Sequence, residues 1–77
     1  MLEVLILTPQ RRLFRGRAQS VILPGEEGIF EIGPFHRPLM SRLLPGVIEV
    51  DQQTFSIRRG VVKVERDTVV SIVETEP

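Results

Sequence analysis

His36 is the only histidine in this sequence, and there is no cysteine or tyrosine to join it. A nucleophile–base pair would have to set Ser20, Ser41, Ser56 or Ser71 beside His36 with an acid to orient the ring. No spacing in the chain suggests that arrangement. Glu26, Glu27, Glu31 and His36 lie close together in sequence, yet they match no metal-ligand motif, and a thiolate site is impossible without cysteine. Gly25, Gly28 and Gly33 raise the question of a phosphate cradle. Such a loop needs backbone amides at the start of a helix and a following Gly-Lys-Ser/Thr, and neither follows here. The expectation is therefore no catalytic residue, no metal and no cofactor. His36 reads as a loop histidine bonded to local backbone or set against a partner.

Nine of the ten basic residues are arginine, the exception being Lys63. Arginine makes forked bonds to carboxylates and is weakly hydrated, which suits polar protein interfaces. Arg11-Arg12 and Arg58-Arg59, with Arg15 and Arg17 nearby, could meet RNA on a small β-barrel. Single-strand binders, however, offer aromatic stacking platforms. The aromatics here are four phenylalanines, and Phe14 and Phe55 fall on core positions. A formal net charge of zero also argues against a phosphate-backbone binder. A solvated face, or a protein partner with acidic residues, fits the arginines better. A free-standing β-barrel module binding RNA or a peptide is the alternative reading.

The elements that must position these residues are short strands. Leu2 to Leu7 is apolar at nearly every position and reads as a strand buried on both faces, closed by Thr8-Pro9. Arg12 to Arg17 alternates, with Leu13, Arg15 and Arg17 on one side. Ala18 to Leu23 reads as the next strand. In Pro24-Gly25, proline presets the first corner of a type II turn and glycine supplies the positive φ. Ile29 to Ile32 is a short strand, stopped by Gly33, Pro34 and Pro38. Leu39 to Leu44 reads as strand, with a single helical turn as the alternative. Val47 to Val50 and Thr54 to Arg58 flank a polar turn at Asp51-Gln52-Gln53. Arg59-Gly60 reads as a tight corner before Val61 to Glu65, where Val62 and Val64 face inward or Val61 shares a second core. Arg66-Asp67 turns into Thr68 to Val73, and Glu74 to Pro77 reads as a frayed polar tail.

No amphipathic helix is visible. The pattern predicts an all-β fold, a small antiparallel β-sandwich of eight to ten short strands, as one domain over residues 1–77. No apolar run approaches ~18 residues, so no membrane insertion is expected. The N-terminus lacks a basic region and a cleavage site, so no signal peptide is expected either.

Several of these residues, taken together, resemble a known family. Leu23-Pro24-Gly25-Glu26-Glu27-Gly28, then Phe30, Pro34, His36, Pro38-Leu39 and Leu44-Pro45-Gly46-Val47 are similar to the N-terminal β-sandwich of the F-type ATP synthase epsilon subunit. The opening strand with Thr8-Pro9, then Phe14, Gly16, Phe55, Gly60 and the closing strand also fit, so the resemblance covers essentially the whole chain. It departs at Glu31, Phe35 and Arg59, where the family usually has glycine. In the family a C-terminal helical hairpin follows this domain. ATP binding and rotation-blocking inhibition reside there, so neither is carried over.

The resemblance implies a non-catalytic central-stalk rotor subunit, packed on the gamma subunit and the c-ring. It would couple proton or sodium translocation to ATP synthesis from the cytoplasmic face of a bacterial inner membrane. Glu26, Glu27, Ile29, Glu31, Phe35, His36, Arg37 and Arg42 would belong to the loops that face the c-ring. Charged rim groups there set register more than affinity. Arg58 and Arg59 are the candidates to face gamma. The isolated domain would be a monomer or a weak dimer.

Overall fold

Alternation with a period of two lets a strand bury one side and leave the other to solvent, and the chain uses this device in strand after strand. The computed structural model describes residues 1–76. Among them lie nine strands and no helix: β1 (Leu2–Leu7), β2 (Arg12–Ala18), β3 (Val21–Gly25), β4 (Gly28–Ile32), β5 (Leu39–Leu43), β6 (Gly46–Val50), β7 (Gln53–Ile57), β8 (Arg59–Glu65) and β9 (Thr68–Glu74). Each contributes to one continuous core. Leu2, Val4 and Ile6 of β1 meet Val62 and Val64 of β8, Val69 and Val73 of β9, and Val21, Leu23, Ile32, Leu43, Ile48, Val50 and Ile57 from the other strands.

The strands form one curled sheet in the order β2-β1-β9-β8-β5-β3-β6-β7, with β4 on the free side of β3. The step from β5 to β3 rests on a single pair, Gly25 with Leu43. The sheet folds over at that step into two layers, β2-β1-β9-β8-β5 and β4-β3-β6-β7. At the opposite side the two end strands meet through side chains. Phe14 of β2 and Phe55 of β7 stand edge to face with centroids 5.7 Å apart, a favoured aromatic geometry. The Asp51 carboxylate closes the same side. It accepts the Gln19 N–H at 3.0 Å and the Ser20 N–H at 3.1 Å, while Asp51 N–H donates to the Ser20 carbonyl at 3.2 Å.

The all-β reading holds, with local corrections. Pairing is antiparallel except between β1 and β9, which run parallel. Leu2 to Leu7 is buried on one face only, since Leu5 and Leu7 on the other are half-exposed. The third strand starts at Val21, and Ala18 ends β2 instead. Pro24 and Gly25 are not a turn. Both lie in β3, opposite Ile29 and Gly28, and the turn falls on Glu26 and Glu27. The positive φ is at Gly28, 123°. The Pro24 carbonyl faces away from β4 and accepts the Leu44 N–H at 2.8 Å, so the donor that proline lacks is not one the β3–β4 ladder uses.

Arg59-Gly60 is likewise strand, paired with Glu74 and Val73, and the bend falls on Arg58. Gly60 is needed for approach rather than for a corner. A Cβ there would lie 2.6 Å from the Ile72 carbonyl oxygen and 2.8 Å from Val73 Cγ1. Val61 faces outward, leaving Val62 and Val64 to the core. Of the polar tail, Glu74 belongs to β9 and Pro77 lies outside the described residues.

Candidate functional site

Two surfaces stand out once the core is built. The first is the end of the sandwich formed by the β3–β4 hairpin and the connection from Gly33 to Pro38. Phe30 and Ile32 of β4 turn inward, which leaves Ile29 and Glu31 on the outside. Glu26 and Glu27 occupy the hairpin tip. Glu26, Glu27, Ile29, Glu31, His36 and Arg37 line one open groove facing β5. The structure thus brings together most of the residues expected at the c-ring-facing loops. Phe35 and Arg42 lie outside that groove. Arg42 pairs with Val61 and belongs to the other surface.

Phe35 is the unusual residue of this end. Its φ is 66°, in the left-handed region that L residues with bulky side chains avoid. Its N–H donates to Asp67 Oδ1 at 3.1 Å, and the ring stands 92% exposed. Asp67 also receives the Glu3 N–H on its backbone carbonyl at 2.7 Å. One turn, between β8 and β9, therefore anchors both the start of β1 and the Phe35 connection. Ile29 is 78% exposed, so both apolar candidates of this end stand in solvent. Glu31 and Arg59 lie in plain strand backbone.

His36 is half-buried, and its Nδ1 lies 2.7 Å from the Arg37 carbonyl oxygen. A carbonyl only accepts, so Nδ1 carries the proton of that bond. Among the described residues no three acidic or histidine side chains gather as a metal site. The ring is a fixture of its loop, bonded to local backbone.

The second surface is the outer face of the β2-β1-β9-β8-β5 layer, which strand-by-strand reading did not isolate. Register stacks its residues in rows. Leu7 pairs with Ile72, Ile72 with Val61, and Val61 with Arg42. The next row runs Arg15, Leu5, Val70, Lys63 and Met40. Val61, Ile72 and Met40 are exposed, Met40 at 74%. Sequence offers a signal for this face: β1 and β9 carry apolar residues at consecutive positions, where a strand wetted on one side alternates. Arg59 borders the first row and donates from Nε to Glu74 Oε1 at 3.0 Å. Arg58, at the bend, gives its N–H to the Glu74 carbonyl at 2.8 Å and pairs with Glu76 at 3.5 Å. The two arginines expected to face gamma thus sit at the margin of this apolar face.

Residues 1–75 match the model of the family described as ATP synthase, Delta/Epsilon chain, beta-sandwich domain. The ATP synthase epsilon chain of a Nitratiruptor species is 38% identical over 78 residues, covering 95% of this chain and 60% of that protein. The ATP synthase epsilon chain of Leptospira borgpetersenii serovar Hardjo-bovis is 35% identical over 72 residues, covering 88% and 57%. The chain thus spans three fifths or less of these relatives. A chain in the cryo-EM structure of the Tetrahymena thermophila mitochondrial ATP synthase, central stalk and c-ring, shares the fold with a TM-score of 0.76 at 22% identity. It is covered to 63%, and this chain to 95%. The sandwich, its glycine-and-proline hairpin region and these matches lead to one conclusion: the chain belongs to the ATP synthase delta/epsilon-chain β-sandwich domain family.

Proposed function

We propose that this chain is a non-catalytic part of the central stalk of an F-type ATP synthase, holding the gamma subunit and the c-ring together as the rotor turns. The observation that carries the reading is the presence of two chemically different surfaces on one small body, which meet at Met40. The outer face of the five-stranded layer is apolar at its centre, with Leu5, Leu7, Val61, Val70 and Ile72 in adjacent rows. It suits a lasting protein contact such as gamma. The loop end carries Glu26, Glu27, Glu31, His36 and Arg37 around Ile29, with Phe35 close by in the same connection. It suits the polar loops of a c-ring, where charge sets register and the two apolar residues supply anchors.

No helix among the described residues is long and apolar enough to cross a membrane. In this reading the domain rides on a membrane complex at the cytoplasmic face of a bacterial inner membrane. It contributes rigidity and contact area to coupling, while the chemistry of ATP synthesis takes place on other subunits.

The test is co-expression with the gamma and c subunits encoded in the same genome. The chain should purify with both. Val61→Asp with Ile72→Lys, which sets opposite charges across the pair, should release gamma while circular dichroism shows the isolated domain still folded. Retention of gamma by that double variant would assign the contact elsewhere.

A further inference from the structure

The arginines of β2 belong neither to the core nor to the loop end. Phe14, Gly16 and Ala18 pair with Ile6, Val4 and Leu2 and share their inward side. Arg15 and Arg17 pair with Leu5 and Glu3, and Arg12 pairs with Leu7, so all three arginines stand on the outer face. The register slips between Ile6 and Leu7, leaving Leu13 as an extra residue. This bulge brings Arg12 onto the same side as Arg15, although three residues separate them. Arg12, Arg15 and Arg17 line one open groove with Glu3, Leu5, Leu7 and Val70.

The ion pairs among the described residues are Arg58–Glu76, Arg59–Glu74 and Lys63–Glu65, and none reaches this group. Glu3 stands opposite Arg17 in the β1–β2 pair but forms no ion pair with it there. Three guanidinium groups thus crowd one margin of an apolar face without a carboxylate bound to them. A bulged, arginine-rich edge discourages a further strand from pairing alongside β2, so a partner would approach the face and not the edge.

We infer that this margin receives an acidic segment of the protein that covers the apolar face, with carboxylates forked onto Arg12, Arg15 and Arg17 and apolar side chains on Leu5, Leu7 and Val70. The inference rests on the gamma reading above, and it states what gamma must bring: acidic residues opposite β2. Guanidinium groups match carboxylates in forked geometry. An RNA strand matches the margin less well, since no aromatic ring lies on this face to stack a base and Phe14 faces inward.

The experiment measures binding of the chain to the gamma subunit from the same genome over a series of salt concentrations. Arg12→Glu/Arg15→Glu/Arg17→Glu is compared with Ser56→Glu, a control on the exposed side of β7 in the other layer, and circular dichroism confirms that each variant folds. The triple reversal should weaken binding on the order of 100-fold and flatten its salt dependence, while the control stays within about twofold. Gamma bound equally tightly, with the same salt dependence, by the triple variant would overturn the acidic-segment inference alone. Failure of the unmutated chain to bind gamma would overturn the rotor reading, and this inference with it. Low-salt binding of a single-stranded RNA oligonucleotide, abolished by the triple reversal while gamma binding is unchanged, would reassign the margin to nucleic acid.

Discussion

Phe35 N–H and Asp67 Oδ1 are 3.1 Å apart, and that bond joins a connection between strands of different layers to a turn in the far part of the sequence. The amide it satisfies belongs to a residue at φ 66°. A phenylalanine in that region costs roughly 1–2 kcal/mol. Removing the side chain relieves this but gives back about 0.5–1 kcal/mol of unfolded-chain entropy. Phe35→Gly should therefore stabilise the domain by up to about 1 kcal/mol in urea titrations. Phe35→Val, β-branched at the same φ, should destabilise it. A loss of stability in the glycine variant would mean that the ring makes contacts outweighing its strain.

Asp67→Ala removes the acceptor for that amide but keeps the backbone carbonyl of residue 67 that holds Glu3. The loss should be about 1 kcal/mol. Hydrogen exchange should speed at Phe35 while Glu3 remains protected, separating the two anchors of one turn.

Ser71 is 1% exposed, and its Oγ finds no hydrogen-bond partner among the described residues. An unsatisfied buried hydroxyl carries a desolvation penalty of about 1–3 kcal/mol. Ser71→Ala should raise stability by about 1 kcal/mol in chemical denaturation. An unchanged or lowered midpoint would point to a bonded hydroxyl.

Two glycines make a matched pair. Gly60→Ala would drive Cβ to 2.6 Å from the Ile72 carbonyl and should cost about 2 kcal/mol or more, because backbone must move. Gly33→Ala meets nothing within 4 Å, and should change stability little or raise it by about 0.4–1 kcal/mol. Thermal melts of the two variants should diverge by about ten degrees.

At the loop end, Ile29→Asp with Phe35→Asp should weaken association with the c-ring in reconstituted complexes and leave gamma binding intact. Both side chains are largely in solvent, and Asp tolerates the left-handed backbone of residue 35 better than Phe does, so the isolated domain should stay folded. Equal c-ring binding would move that contact away from the hairpin.

Much of this architecture was legible in the residues. Thr68 to Val73 announces a strand through its β-branched run, and Arg66-Asp67 announces the turn before it. Leu39 to Leu44 resolves to strand by its short length. Other features were not legible, for reasons that can be named. Pro24-Gly25 has turn chemistry, but β3 absorbs it because the proline carbonyl finds Leu44 across the fold, a contact that local sequence does not encode. Arg59-Gly60 looks like a corner, yet its glycine serves a tertiary approach to Ile72. Period-two patterns are blind to strand direction, so the parallel pairing of β1 with β9 was hidden. The loop-end residues were found because proline, glycine and charge cluster along the chain there. The apolar outer face was missed because its members come from strands far apart in sequence and meet only through register.

The contact between Phe14 and Phe55 makes the sheet a scroll. Its first and last edges touch through rings and a carboxylate instead of a ladder of amide bonds. The outward-facing amides of β2 and β7 therefore keep their bonds with water, and deuterium should enter along this seam long before it reaches β1 or β6. A scroll of this kind can yield at its seam under load while the strands behind it stay in register.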